Sequence, residues 1–245
     1  MERDAALEAV FMPVQPASTF EETVERLGSA IRLGLLAPGE KLPPERELAK
    51  RLRISRSTLR QALTALVQSG HLVSTRGRTG GTFVAEQPPL TEQHGEPLDQ
   101  SSWAVLDYRV AIELGAALLA AERGGEAQFD RLEELVAKMD DELEDFGEYR
   151  RTDVRFHIGL AEAAQSPRLV SAMTDVQSQM SDLIALIAHP PEVLARSNEQ
   201  HAHLVKALRK GDGSRAGRLM REHTEGTEHI LAGLLPAPLR LERAA

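Results

Sequence analysis

Cysteine is absent from this chain of 245 residues. Without thiols the protein has no disulfide framework, no thiolate zinc site and no cysteine nucleophile, which fits a reducing cytosol. Long apolar runs are also missing, since no stretch reaches the roughly 18 consecutive apolar residues of a membrane-spanning helix. The first residues lack the basic and apolar regions of a secretory signal. We therefore expect a cytoplasmic protein that has no membrane partner.

The net charge of −8 conceals an uneven distribution of charged side chains. Residues 41–84 carry nine lysines and arginines against two glutamates, whereas residues 87–245 carry 27 acidic and 17 basic residues. A basic segment within an acidic protein favours a surface that binds a polyanion. The alternative is an ordinary charged surface exposed to solvent. The pattern of the surrounding helices and strands is needed to distinguish the two.

A polar stretch rich in proline separates two segments of different texture and is the predicted linker. Before it, short helical patterns are broken by turns, and after it the patterns are long and rich in Ala, Leu and Glu. The predicted division is an N-terminal arm (1–17), a first domain (18–85), the linker (86–101), a second domain (102–236) and a tail (237–245).

The first domain has the pattern of three helices followed by a hairpin. Pro44 precedes the second helix, and Ser55 is the predicted N-cap of the third. Two short runs at 71–75 and 81–84 flank a glycine-rich turn and predict strands. This order is that of a winged helix-turn-helix, in which the third helix packs its apolar stripe inward and leaves its polar face free for a major groove.

The third helix carries arginines on this polar face. Arg56 and Arg60 are four residues apart, so both project from one side of the helix. Guanidinium groups suit bidentate reading of guanine or contact with phosphates. The alternative is a winged helix that binds another protein and is basic only incidentally. DNA binding is favoured because the charges lie on the face that the fold leaves exposed.

The sequence around this helix resembles the DNA-binding domain of GntR-type bacterial transcription regulators. The resemblance rests on PGEKLPPERELA at 38–49, ISRSTLRQAL at 54–63 and GHL at 70–72. Pro44 stands where many relatives have a capping serine, so we expect weaker capping there. The resemblance implies that the residues in contact with DNA are Arg46, Ser55, Arg56, Ser57, Thr58, Arg60, Arg76 and Gly77.

The second domain shows helical periodicity and no strand pattern. The expected fold class is therefore mainly α, with a winged helix-turn-helix followed by an all-helical bundle of six to seven helices. A helical partner of this size resembles the FadR branch of the GntR family with its FCD ligand-binding domain. The predicted helices lie near 102–124, 127–146, 148–165, 167–189, 191–210 and 212–234.

Four polar residues of the second domain have the types and spacing of metal ligands. Asp153 and His157 are four residues apart and share a helix face, while His201 and His223 lie on two later helices. One carboxylate and three imidazoles could bind a divalent cation. The resemblance to FCD domains implies that this set is a metal site, for Zn²⁺ or alternatively Ni²⁺ or Mn²⁺. His203 is the alternative to His201 and lies on a different helix face.

Arg109 matches an arginine that meets the ligand carboxylate in some FCD proteins. The alternative role is an ion pair with Glu113 at i, i+4, which is a weak interaction on an exposed helix. Ser166 departs from the family, which often has asparagine at this position. The other histidines are expected on the surface, namely His71, His94, His189 and His229.

These patterns predict a transcription regulator, and we expect it to act as a repressor. The resemblance to FCD domains implies that it senses a small organic acid at the metal. A homodimer on a pseudo-palindromic operator is expected, because one recognition helix reads too few base pairs to specify a genomic site. One alternative is a regulator of the same class that binds long-chain acyl-CoA or fatty acid without a functional metal. A metal-dependent enzyme is disfavoured, since the chain has no His-Glu-x-x-His motif, nucleophile elbow or phosphate loop.

Overall fold

A computed structural model describes residues 19–32, 35–77, 80–88 and 100–234. The chain divides into two compact units. The first comprises Met1–Asp99, Leu186–Glu192 and Gly226–Ala245, and the second comprises Gln100–Ala185 and Val193–Glu225. The predicted arm and tail, and most of the predicted linker, lie outside the described residues. No helix in the described ranges has the length and apolar character needed to cross a membrane.

The first unit contains three helices and a hairpin in the predicted order. They are α1 (Thr19–Arg32), α2 (Glu45–Leu52), α3 (Arg56–Gln68), β1 (Leu72–Thr75) and β2 (Gly81–Val84). The strands pair antiparallel, with Leu72 opposite Val84 and Thr75 opposite Gly81. Leu48, Leu59 and Leu66 are fully buried between the helices. The apolar stripe of α3 is therefore committed to the core, as the winged-helix pattern requires.

Local capping interactions determine where α2 ends and where α3 begins. Arg53 ends α2 in the left-handed conformation, with φ at 56°, and so turns the chain sharply towards α3. The Ser55 hydroxyl accepts a hydrogen bond from the backbone N–H of Thr58 at 3.0 Å, which begins α3. Pro44 occupies the N-cap of α2 and makes no side-chain cap, as expected for this departure from the family.

Six helices cover the second predicted domain within the described residues, and the mainly α class is confirmed. They are α4 (Gln100–Arg123), α5 (Glu126–Asp141), α6 (Phe146–Ala163), α7 (Pro167–Ile184), α8 (Pro191–Arg209) and α9 (Gly213–Leu234). The predicted boundary between the second and third of these helices is wrong. Asp145 caps α6 by accepting from the Glu148 N–H at 3.1 Å, so α5 ends at Asp141 and α6 begins at Phe146. The prediction of α7 as far as 189 is also too long, because α7 ends at Ile184.

The last turns of α9 belong to the first unit, where they pack against α1. The helices approach closely at two glycines, since a Cβ added to Gly28 would lie 2.1 Å from the Gly233 carbonyl oxygen. One turn away, His229 Nδ1 is hydrogen-bonded to a carboxylate oxygen of Glu25. Contact between backbones of this kind requires the absence of a side chain at both positions.

Candidate metal centre

Three helices of the second unit bring the predicted metal ligands together. Asp153 and His157 come from α6, His201 from α8 and His223 from α9. The three histidines are almost fully buried, and one ring nitrogen from each lies within 4.8 Å of the others. The Asp153 Oδ1 is 3.7 Å from Nε2 of both His157 and His201. His203 is exposed, so it is His201 that the fold places in this cluster.

The nitrogen atoms of the cluster are suited to a cation. Neither ring nitrogen of His201 has a hydrogen-bond partner within the described residues, and Nε2 of His157 is the ring nitrogen that lies near Asp153. Burial lowers the pKa of His157, brings the pKa of His201 to about 3 and holds the pKa of His223 well below its usual value. The imidazoles are therefore neutral at neutral pH and keep the lone pairs that a metal needs. Three nitrogens and one carboxylate oxygen are donors that Zn²⁺ and its neighbours accept.

Arg150 orients the carboxylate of the cluster. Its NH1 donates to Asp153 Oδ2 at 2.5 Å, and its NH2 donates to the Gln177 carbonyl at 2.9 Å and to Ser181 Oγ at 3.0 Å. Burial raises the pKa of Asp153, but His157, Arg150 and His201 together outweigh burial and lower it. Asp153 is thus ionised, with one oxygen held by Arg150 and the other directed towards the histidines.

Glu113 on α4 lies behind His157 and was missed as a member of the site. Its Oε1 accepts from Arg109 Nε at 3.0 Å and from Gln177 Nε2 at 2.8 Å. Its Oε2 is 3.4 Å from His157 Nδ1. A carboxylate on the far side of an imidazole is the arrangement that orients metal-binding histidines. The sequence signal was a glutamate on the same helix face as Arg109, among residues with a buried pattern.

Arg109 forms the predicted pair with Glu113 and also contacts the histidine cluster. It forms the buried ion pair with Glu113, and its NH2 lies 2.9 Å from Nε2 of His223. Its NH1 has no hydrogen-bond partner within the described residues. On the other side of the same imidazole, His223 Nδ1 is 3.1 Å from Gln200 Oε1. The guanidinium therefore lies inside the histidine cluster and retains unused donor capacity.

The residues predicted to contact DNA lie on the surface of the first unit. Ser55, Arg56, Ser57 and Arg60 surround the start of α3, and all four are exposed. Thr58 is partly buried beside them, Arg46 is exposed on α2, and Arg76 and Gly77 are exposed at the wing. Arg60 NH2 is 3.0 Å from Glu45 Oε2, but the arginine side chain remains 65% exposed. Gly77 has a φ of 115° with nothing within 4 Å of an added Cβ, so the wing needs glycine for its backbone conformation.

Some of the other histidines do not follow the surface prediction. His71 is buried, and its Nδ1 is 2.9 Å from Ser69 Oγ, so the prediction is wrong for this residue. His189 and His229 are partly buried, and His94 lies outside the described residues. Ser166 caps α7 by accepting from the Leu169 N–H at 3.4 Å.

Comparison with known families identifies both parts of the chain. Residues 19–84 match the family of bacterial regulatory proteins named gntR, and residues 104–226 match the FCD domain. The chain belongs to the GntR family. It is a DNA-binding transcription regulator with an FCD domain, and its relatives are regulators rather than enzymes.

The relatives of this GntR protein match most of its length. It is 38% identical to a Mycobacterium gastri protein provisionally named HTH-type transcriptional regulator RmpR, over 82% of this chain and 75% of that protein. It is 31% identical to the HTH-type transcriptional regulator LutR of Bacillus subtilis, over 83% and 96%. An Escherichia coli protein provisionally named the L-lactate dehydrogenase operon regulatory protein is 32% identical over 86% of both chains. The solved structure of Escherichia coli McbR/YncC is 22% identical, with a TM-score of 0.49 over 86% of this chain and 96% of that one.

Proposed function

We propose that this regulator is a repressor whose operator affinity is controlled by a small carboxylate bound at a divalent metal. The metal ligands are Asp153, His157, His201 and His223. The observation that carries the proposal is the burial of three neutral imidazoles whose nitrogens lie within 4.8 Å of one another, next to an ionised carboxylate. Both ring nitrogens of the buried His201 have no hydrogen-bond partner within the described residues, and a cation such as Zn²⁺ would satisfy one of them.

The charges around the cluster favour an anionic effector. Arg109 and Arg150 carry two positive charges, and Glu113 and Asp153 carry two negative charges, so these four groups balance one another. The neutral histidines add no charge, and a divalent cation would therefore bring two uncompensated charges into a buried site. Buried charges that lack a counter-charge are costly. A carboxylate would reduce this cost, and L-lactate is the first candidate because one relative is named for a lactate dehydrogenase operon.

The first unit would bind the operator, and its affinity for DNA would change when the effector binds. We propose that two copies of the chain bind a pseudo-palindromic operator, with the DNA-binding domain at 18–85 and the effector domain at 102–236. Effector binding would shift the population between states that do and do not match the spacing of the half-sites. The proposed DNA contacts are Arg46, Ser55, Arg56, Ser57, Thr58, Arg60, Arg76 and Gly77.

A comparison of two histidine variants tests the metal site. Protein expressed without a metal-chelating tag is analysed by native mass spectrometry, which reports subunit number, metal and retained ligand together. We expect a dimer with one divalent metal per chain, and we expect His157→Ala to lose the metal because the remaining donors bind it weakly. His203→Ala is the matched control, since His203 is an exposed histidine on α8 and should keep the metal.

The response to effector is then measured by fluorescence anisotropy on an operator selected from random DNA. L-lactate should change the operator affinity of the wild type and of His203→Ala, but not that of His157→Ala. Full metal content and full response in His157→Ala would contradict the proposal. A metal-free dimer that retains a long-chain lipid would instead support the acyl-CoA alternative.

A further inference from the structure

The segment that precedes α2 lies beside the wing. Residues 39–42 run along the edge of β2 that does not pair with β1. The Gly39 N–H donates to the Val84 carbonyl at 3.1 Å, and the Leu42 N–H donates to the Thr82 carbonyl at 2.9 Å. The segment is thus hydrogen-bonded as a third strand, and the hairpin cannot slide along it without losing these bonds.

The Lys41 side chain extends this contact from the strand to the turn of the wing. Its Nζ donates to the Gly80 carbonyl at 2.7 Å and lies 5.3 Å from the centroid of the Phe83 ring. An ammonium group that is bound to a carbonyl and lies over an aromatic ring has two favourable contacts. Gly80 also closes the turn, because its N–H donates to the Gly77 carbonyl at 3.0 Å. Lys41 therefore holds the end of the turn that presents Gly77.

Two adjacent glycines make room for the lysine. A Cβ added to Gly80 would lie 2.4 Å from the Thr75 carbonyl oxygen, so the turn itself needs a glycine. A Cβ added to Gly81 would lie 2.6 Å from Cε of Lys41. The lysine can therefore cross β2 only because Gly81 has no side chain.

We propose that Lys41 is a positioning residue for operator binding, which holds the turn of the wing where Arg76 and Gly77 reach the DNA. The same segment leads to Glu45, whose Oε2 accepts from Arg60 NH2 at 3.0 Å on α3. One short stretch of chain thus contacts both elements that are proposed to bind DNA. The inference rests on the proposed DNA contacts of the wing and adds a residue that acts through them.

An exposed lysine near DNA has an alternative role, which is direct contact with a phosphate. A wing held in place loses less conformational entropy when DNA binds, so its own contacts contribute more to affinity. A positioning lysine therefore contributes only while the wing contacts are present. A lysine that binds a phosphate contributes independently and releases a counterion. The two roles differ in whether the effect of Lys41 depends on Arg76.

Operator affinity is measured by fluorescence anisotropy at several salt concentrations, with the full chain and an operator selected from random DNA. Lys41→Met keeps the aliphatic stem and removes the ammonium, and we expect about tenfold weaker binding from the loss of one hydrogen bond to a charged group. Lys41→Arg keeps a cationic donor and should bind like the wild type. Lys206→Met is the matched control, because Lys206 is an exposed lysine of the second unit, and it should also bind like the wild type.

The same substitution in an Arg76→Ala background separates the two roles. If Lys41 acts through the wing, adding Lys41→Met to Arg76→Ala should weaken binding by no more than about twofold, because the two effects overlap. The slope of log affinity against log salt should then stay the same. A direct phosphate contact would cost about tenfold in both backgrounds and reduce the slope by about 0.9 each time.

Three outcomes would overturn the inference. They are additive losses in the two backgrounds, a folded Lys41→Met that binds like the wild type, and a folded Lys41→Arg that binds as weakly as Lys41→Met. Thermal unfolding is recorded for each variant, and Lys41→Gln replaces Lys41→Met if the latter does not fold. Wild-type affinity in Arg76→Ala is a different result, because it overturns the proposed wing contact itself and the inference falls with it.

Discussion

A methyl group added at Gly28 should separate α1 from the end of α9. The added Cβ would lie 2.1 Å from the Gly233 carbonyl oxygen and 2.9 Å from its carbonyl carbon. Contacts between carbon and oxygen are normally about 3.3 Å or longer. The atoms that the added methyl group would meet belong to the backbone of Gly233, which cannot move aside by changing rotamer as a side chain could. The two helices must therefore move apart by about 1 Å, measured against the same normal contact distance.

The expected loss of stability is the difference between two effects. Overpacking of a well-packed core costs about 1 to 3 kcal/mol, and a clash between backbones belongs at the upper end. Alanine is favoured over glycine within a helix by about 1 kcal/mol, which offsets part of this cost. Gly28→Ala should therefore lower the free energy of unfolding by about 2 kcal/mol. For a chain of this size, that corresponds to a Tm about 4 to 8 °C lower.

Gly115→Ala is the matched control, because Gly115 is also within a helix and nothing lies within 4 Å of its added Cβ. This variant should gain the helical preference alone and become more stable by up to about 1 kcal/mol. Thermal unfolding of both variants is followed by circular dichroism at one protein concentration, since association would shift Tm. A Gly28→Ala protein as stable as the wild type would refute the close packing of α1 on α9.

Two further substitutions test the first unit. The hydrogen bond to Glu25 raises the pKa of His229, although burial opposes the shift. The pair therefore stabilises the fold fully below about pH 6.5, and this stabilisation is lost as the pH rises through the raised pKa. His229→Gln should lower the free energy of unfolding by about 0.5 kcal/mol below about pH 6.5 and leave it unchanged above the raised pKa, as measured by urea unfolding at several pH values. A difference in stability between variant and wild type that stays constant with pH would contradict this. Arg60→Ala should weaken operator binding by about 1 to 3 kcal/mol at fixed salt in an anisotropy titration. Arg151→Ala is the control, because it also removes an exposed arginine, and it should leave operator binding unchanged. An equal loss of affinity in both variants would show that Arg60 is not a specific DNA contact.

Elements marked by both a cap and a periodic pattern could be predicted from the sequence. Ser55 and the apolar stripe of α3 gave its start and its buried face. The end of α5 could not be predicted in this way, because Leu143 and Phe146 continue the apolar spacing beyond Asp141, where the helix stops. Capping by Asp145 overrides that spacing, and a period of apolar residues contains no information about such a cap.

The meeting of Asp153, His157, His201 and His223 could also be predicted, because their residue types and the resemblance to FCD domains together implied a single site. The groups that orient these donors could not. Gln177 is 64 positions from the Glu113 that it contacts, and Arg150 reaches across to α7, so neither contact follows from local spacing. His71 was wrongly predicted at the surface because the hydroxyl of Ser69 provides a partner that lets an imidazole be buried.

The number of donors bears on how an effector could reach the metal. Asp153 offers one oxygen, because Arg150 holds the other, and the histidines offer one nitrogen each. Four protein donors already complete the tetrahedral coordination that structural Zn²⁺ prefers. A carboxylate that binds the metal directly therefore needs a fifth or sixth position, which Ni²⁺ and Mn²⁺ provide more readily than Zn²⁺. If Zn²⁺ is the bound metal, we expect a carboxylate to owe a larger share of its affinity to charged side chains at the site, because the metal itself has less coordination to offer.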